Sequence, residues 1–223
     1  MPFRHEWKHI LNYADYLSIR QRLRAALPCD AHAAGGQYRI RSLYFDTPGD
    51  RALRDKLDGV SVREKFRIRY YNLDLSFIQL EKKSKVNSLC QKQAVPLTAQ
   101  QAEAILHGDF GFLTCDSPPL VLEFYSKVKS QGLRPKIVVE YLREPFVYPP
   151  GNVRITIDHH LRQSHVTGDF LRERLVTIPA GTSPYLLEVK YDEFLPTFIW
   201  DIIQTGQRRP TAFSKYAACR MYG

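Results

Sequence analysis

Lys65-Phe66-Arg67-Ile68-Arg69-Tyr70 is the stretch on which the fold turns. Its residues alternate with period two, the mark of a β-strand with two unlike faces. Lys65, Arg67 and Arg69 fall on one face; Phe66, Ile68 and Tyr70 fall on the other. Three cations spaced two residues apart repel one another, so a carboxylate row or a bound anion has to face them. Taken alone, the charged side reads as solvated sheet surface, because exposed faces are normally charged. Repetition elsewhere in the chain weakens that plain reading.

The same parity recurs in both directions from this stretch. Glu81 and Lys83 share a face of the next strand, and Lys92 sits on the one after. Arg143 follows the run Val138, Val139 and Tyr141. Arg154 shares a face with Thr156 and Asp158. Glu188 and Lys190 share a face, while Leu187 and Val189 fill the other. A Glu-x-Lys unit therefore occurs three times, at Glu6/Lys8, Glu81/Lys83 and Glu188/Lys190.

Period-two stretches at 37–46, 65–71, 76–83, 88–97, 135–143, 153–158 and 185–191 predict strands. Asp46-Thr47-Pro48-Gly49 and Asp58-Gly59 are turn signals. Apolar spacing at Ile10, Leu11, Ala14, Leu17 and Leu23 predicts an amphipathic helix over 7–26. A short strand carrying Arg4, Glu6 and Lys8 precedes it. Residues 98–107 read as a helix with Thr98 as N-cap and Gly108 just past its end. Helices also fit 119–131, 196–204 and 212–222. The class is α+β, with many antiparallel strands and helices at the start, middle and end.

Composition narrows the function classes. The chain has 223 residues, 44% hydrophobic and 25% charged, which describes an ordinary globular protein and argues against disorder or coiled coil. Neither a repeat nor a composition break marks a boundary, so residues 1–223 read as one domain. No run approaches the roughly 18 apolar residues of a membrane helix. The N-terminal residues lack a signal peptide's apolar core, and the expected location is the cytoplasm. Cys29, Cys90, Cys115 and Cys219 form no CxxC pair, which disfavours a zinc site or a disulfide framework. Lys and Arg number 32 against 23 Asp and Glu, a net charge of +9. That excess points to a polyanionic partner. Nothing in the sequence sets the oligomeric state.

If the charged strands curl into a barrel, the cations can point inward. Unpaired buried charge is costly, so such a lumen cannot pack dry and must hold water and an anion. Glutamates among the cations either pair with them or hold a hard divalent cation through oxygen. A triphosphate with its metal satisfies both sets.

In order, the chain carries R-H-E-W-K near its start and R-S-L-Y-F-D-T-P from Arg41 to Pro48. Next come K-F-R-I-R-Y-Y from Lys65, L-E-K-K from Leu80 and V-E-Y-L-R-E-P-F from Val139. V-R-I-T-I-D from Val153, L-L-E-V-K from Leu186 and F-S-K-Y from Phe213 complete the set. This ordered set resembles the VTC domain, the catalytic domain of polyphosphate polymerases, within the triphosphate tunnel metalloenzyme superfamily. The resemblance implies a closed antiparallel barrel of about eight strands with flanking helices, of the CYTH type.

It also implies roles. Lys8, Lys65, Arg67, Arg69, Lys83, Lys92, Arg143, Arg154 and Lys215 become phosphate ligands, with Tyr44 as a further hydrogen-bonding candidate. Lys8, Arg67, Arg69, Lys83 and Glu188 form the catalytic set. Glu188 becomes the holder of Mn²⁺ or Mg²⁺, with Glu6 and Glu81 as helpers; plain pairing with Lys8 and Lys83 is the alternative for those two. Asp46 reads as the cap of its turn, and Ser42 shares its face. His159 and His160, adjacent and so on opposite faces, read as surface residues. Trp7 and Trp200 read as packing residues, and Arg208 and Arg209 as a solvated loop.

The implied activity is transfer of the γ-phosphate of ATP to a growing polyphosphate chain. Alternatives are a metal-dependent triphosphatase acting on inorganic triphosphate or nucleotides, and a non-catalytic module binding polyphosphate or inositol phosphates. Nucleic acid fits poorly, because the cations are interleaved with glutamates. Catalytic domains of this kind often work beside a membrane protein, which leaves room for a separately encoded partner at the inner face of the membrane. Three departures bear on chain elongation: Thr211 and Ala212 where a cation is frequent, Gln93 after Lys92 where Arg is common, and Glu140 where a neutral residue is usual.

Overall fold

Period-two alternation becomes strand pairing throughout the computed structural model, which describes residues 5–87, 89–181, 184–204 and 210–221. The strands are β1 (His5–Leu11), β2 (Tyr38–Asp46), β3 (Val62–Tyr71), β4 (Asp74–Val86), β5 (Leu89–Leu97), β6 (Arg134–Tyr148), β7 (Val153–Ser164), β8 (Ile178–Pro179) and β9 (Tyr185–Tyr191). The helices are α1 (Tyr13–Ala26), α2 (Arg51–Leu57), α3 (Ala99–Leu106), α4 (Pro119–Gln131), α5 (Thr197–Ile202) and α6 (Lys215–Met221). The strand order is β1-β9-β7-β6-β2-β3-β4-β5, with β8 on β7. The α+β class with an antiparallel sheet and flanking helices is as expected. The order ends at β1 and β5, and no described residues pair these two, so strand hydrogen bonds do not complete the closed barrel. No helix among the described residues is long and apolar enough to cross a membrane.

The chain divides into two compact units: residues 1–39, 141–161 and 182–214, and residues 40–140, 162–181 and 215–223. In the first, Leu187 and Val189 of β9 pack with Ile155 and Ile157 of β7 and with Ile19 and Leu23 of α1. The helix expected from residue 7 starts at Tyr13 instead, because Trp7 to Leu11 pair with β9. Asn12 caps it, its side chain accepting from the Asp15 N–H at 2.7 Å. Its buried stripe is Tyr16, Ile19 and Leu23, while Leu17 is exposed. A fully buried carboxylate fastens α1 to β6. Glu144 accepts from the Tyr16 hydroxyl (2.9 Å), Arg20 Nε (2.7 Å) and Arg24 Nη2 (2.9 Å). Burial opposes its ionisation, but the close contact with His159 and the hydrogen bonds from Arg20 and Tyr16 hold its acid at about 2. His159 is thus buried beside Glu144, contrary to the surface position expected for it; His160 is exposed. Trp7 packs against Trp200 with ring centroids 4.4 Å apart.

The second unit is built on the opening stretch. Phe66, Ile68 and Tyr70 turn inward with Leu43, Phe45, Ile78 and Leu80, and Leu120, Val121 and Phe124 of α4 join the same core. Thr98 and Gln101 close a capping box at the start of α3. α4 runs as the sequence predicts and ends at Gly132, whose φ of 67° is the left-handed cap. Two residues fix the β3–β4 hairpin. Asn72 and Leu73, with φ of 50° and 60°, form the two-residue loop that brings Tyr71 opposite Asp74. Glu140 accepts from Arg41 Nε at 2.8 Å, and Arg41 also donates to Tyr70 Oη and to the carbonyls of Phe170, Arg172 and Glu173. This departure from the usual neutral residue therefore serves a buried guanidinium that fastens residues 170–173.

Candidate functional site

The hairpin register decides what faces what. β3 pairs with β4 so that Lys65 lies opposite Lys83, and β4 pairs with β5 so that Lys83 lies opposite Lys92. One row across three strands thus carries three lysines. Like charges directly opposite one another destabilise a sheet, so this row calls for an anion. The adjacent row reads Tyr44, Arg67, Glu81 and Ala94, and the next reads Ser42, Arg69 and Gln79.

Glu81, 2% exposed, is the counter-charge of this face. Its Oε2 lies 2.5 Å from Arg67 Nη2 and 3.8 Å from Arg69 Nη1, and its Oε1 lies 2.6 Å from Lys92 Nζ. Burial pushes its acid up, but Arg67, Arg69 and Lys92 outweigh burial and hold it far below the usual carboxylate range. Arg69 Nε donates to Ser42 Oγ at 3.1 Å. Arg67 Nη1 donates to Tyr44 Oη at 2.9 Å. The Tyr44 ring stacks on Tyr216, centroids 5.0 Å apart, and Lys215 is the residue before Tyr216 at the start of α6.

Burial opposes ionisation of the Tyr44 phenol, yet the charges of Arg67, Lys65 and Arg69 and the Arg67 hydrogen bond bring it down to about 7. The folded state therefore releases this proton far below the ordinary phenol value of 10.0. The resulting stability is fully present above that ordinary value and is lost as pH falls through about 7. A tyrosinate absorbance titration should show one tyrosine ionising near that pH, with the step absent from Tyr44→Phe. Inorganic tripolyphosphate, competing for the same cations, should move the step upward. A titration unchanged by Tyr44→Phe would refute the assignment.

The first unit presents its own charged rows. β1, β9 and β7 align Glu6, Lys190 and Arg154 in one row and Lys8, Glu188 and Thr156 in the next. Two Glu-x-Lys units on antiparallel neighbours thus set each glutamate opposite a lysine, a favourable cross-strand arrangement. Glu188 Oε1 lies 2.5 Å from Lys190 Nζ, its Oε2 lies 3.6 Å from Lys8 Nζ, and Glu6 lies 2.5 Å from the same ammonium. Burial works against the Lys8 ammonium, but Glu188 and Glu6 overcome it and raise its pKa. For Lys190, burial prevails and the pKa falls. Arg143 is bidentate on buried Asp158, at 2.6 and 2.7 Å. Arg154 donates to Asp30 and Tyr38 through Nη2, and its buried Nε has no acceptor among the described residues.

The candidates thus assemble as two sets. Glu6, Lys8, Arg143, Arg154 and Glu188 belong to the first unit. Tyr44, Lys65, Arg67, Arg69, Glu81, Lys83, Lys92 and Lys215 belong to the second. The sequence reading left Lys190 and Thr156 out of the site. Thr156 is 3% exposed, and its hydroxyl has no partner among the described residues. Their parity with Glu188 and Arg154 was the available signal. Asp46 does more than cap its turn: it accepts from the N–H groups of Thr47, Ala52 and Leu53 and so holds the start of α2. Arg4, Arg208 and Arg209 lie outside the described residues.

No group of three or more His, Cys, Asp or Glu among the described residues is arranged to hold a metal by itself. Glu188 and Glu6 fit the looser kind of site, in which one or two carboxylates are completed by substrate phosphates and water. The Thr156 hydroxyl in the Glu188 row, unpartnered among the described residues, is consistent with such an added ligand.

Residues 3–222 match the family described as the VTC domain. The chain belongs to the VTC family. The match takes in every candidate residue of both sets. Among solved structures, this VTC domain is similar to a candidate adenylyl cyclase, HpAC1 from Hippeastrum, described as revealing a dominant triphosphatase activity. The two are 14% identical, with a TM-score of 0.60 over 99% of this chain and 96% of that one. It is also similar to a candidate adenylate cyclase from Bacillus halodurans. That pair is 14% identical, with a TM-score of 0.52 over 85% of this chain and 80% of the other. These likenesses place the VTC domain in the triphosphate-tunnel type of fold. No curated protein matches the sequence.

Proposed function

We propose that this VTC domain is a polyphosphate polymerase that moves the γ-phosphate of ATP onto a growing polyphosphate chain. The observation that carries the reading is the Lys65, Lys83 and Lys92 row beside Arg67 and Arg69, a five-cation surface on three neighbouring strands. Glu81 answers Arg67, Arg69 and Lys92 from the same face. A run of linked phosphates places negative charge at closely spaced points along such a surface. Arg67 and Arg69 grip phosphate oxygens as planar donors; the lysines act as compact point charges.

Phosphoryl transfer depends mainly on positioning and charge neutralisation. A terminal oxygen of the growing chain forms a bond to the γ-phosphorus, the bond to the bridging oxygen breaks, and ADP leaves with that electron pair. Lys8, Lys65, Lys83, Lys92, Arg67, Arg69, Arg143, Arg154 and Lys215 hold the phosphates in this reading. Glu188, helped by Glu6 and Glu81, would hold Mn²⁺ or Mg²⁺, which when bound neutralises phosphate charge. Residues 1–223 act as one functional domain, so substitutions in either set cost the same activity. The protein works in the cytoplasm with ATP and inorganic polyphosphate, not nucleic acid. A separately encoded membrane protein at the inner face of the membrane belongs to the same reading.

A triphosphatase is the second reading, with water in place of the chain terminus. The activity described for the Hippeastrum protein favours it, as do Gln93, Thr211 and Ala212 at positions where the family resemblance makes a cation frequent. Purified protein given ATP and Mn²⁺ is expected to make long polyphosphate, resolved on a gel, with ADP as co-product. Orthophosphate as the sole phosphate product would reject polymerisation in favour of hydrolysis.

A further inference from the structure

α6 is short, yet it is fastened at two points on one face. Tyr216 and Arg220 are four residues apart, so they lie one above the other on the helix. Tyr216, 1% exposed, donates its hydroxyl to Asp46 Oδ2 at 2.6 Å while its ring stacks on Tyr44. Arg220 Nη2 lies 2.6 Å from Asp50 Oδ2, and the other oxygen of Asp50 takes Lys136 Nζ at 2.7 Å. Asp46 is itself immobilised, fully buried and accepting three backbone N–H groups. A single tether leaves a helix free to turn about its axis. Two tethers one turn apart fix both its position and its rotation. Lys215 sits one residue before the first tether, so the clamp sets where its ammonium is presented.

We propose that Tyr216 and Arg220 are positioning residues, a two-point clamp that holds α6 so that Lys215 meets the phosphate chain. The inference rests on the reading of Lys215 as a phosphate ligand. Neither clamp residue touches phosphate. Their effect comes through the fraction of molecules in which Lys215 is correctly placed, and apparent affinity scales with that fraction.

The test is a double-mutant cycle in the full chain, reading the affinity for inorganic tripolyphosphate by calorimetry. Lys215→Ala is expected to weaken binding about tenfold, the loss of one charge-assisted contact. Tyr216→Phe, which keeps the ring and the charge, is expected to weaken it about threefold through a frayed clamp. The double variant should bind no more weakly than Lys215→Ala alone, because a displaced lysine has nothing further to lose. Independent, multiplying effects would overturn the clamp while leaving Lys215 as a ligand. Parent-like binding by Lys215→Ala would instead overturn the reading of Lys215, and the clamp's purpose with it. Should Tyr216→Phe not fold, Arg220→Ala takes its place in the cycle. Arg220→Lys, which retains a cation for Asp50, should then recover most of the affinity; recovery by Arg220→Gln to the same degree would count against the clamp.

Discussion

Glu188→Ala is expected to lose turnover by about a thousandfold while still binding inorganic tripolyphosphate. The prediction follows from where the side chain sits. Glu188 is 7% exposed between two lysines of its own face, Lys8 and Lys190. On the function proposed above, deleting it removes the carboxylate that would share a divalent cation with phosphate oxygens. It also removes negative charge next to two ammonium groups, so attraction for a free polyanion is retained or strengthened. Catalysis and binding therefore separate in this variant. Phosphate or ADP release with ATP and Mn²⁺ gives the first quantity, and calorimetry with tripolyphosphate the second. Parallel loss of both would mean that Glu188 serves the local fold. A non-catalytic polyphosphate or inositol phosphate binder predicts something else again: no turnover in the parent, and binding insensitive to Glu188→Ala.

The charged faces were legible because strand alternation is local. Lys65, Arg67 and Arg69 declare their shared side within six residues, and Glu188 and Lys190 within three. α4 was legible to its ends because Pro119 and Gly132 punctuate it. What escaped the sequence depended on register or on distant partners. Glu81 meets Arg67 and Lys92 because the Asn72-Leu73 loop sets one hairpin alignment; a shift by one residue would turn the whole set to the other side. Thr156 enters the site only through its alignment with Glu188. The buried hub at Glu144 joins residues more than a hundred positions apart, and no local pattern announces it. α2 starts on a side chain, Asp46, that reads locally as nothing more than a turn residue. Barrel closure is a property of the two terminal strands of the order, and neither carries a signal for it.

Glu81→Ala should lower stability by about 3 kcal/mol in the absence of polyanions, the cost of removing one partner from a buried charge cluster. Arg67, Arg69 and Lys92 would then face one another, beside Lys65 and Lys83, without the Glu81 carboxylate between them. The loss should be conditional. Tripolyphosphate supplies the deleted charge, so its addition is expected to raise the melting temperature of the variant more than that of the parent. Its affinity for the variant should exceed that for the parent, because Glu81 competes with phosphate for the same guanidinium groups. The acid limb should change as well. Glu81's folded-state acid is depressed, so its stabilisation is present above the ordinary carboxylate pKa of 4.5 and is lost only as pH falls far below it. The stability difference between parent and variant should therefore be widest near neutrality and narrow in strong acid. Thermal melts across pH, with and without tripolyphosphate, measure all three effects. A variant as stable as the parent, or equal stabilisation of both by tripolyphosphate, would mean that these cations are neutralised elsewhere and that the lysine row is not built for a chain of phosphates.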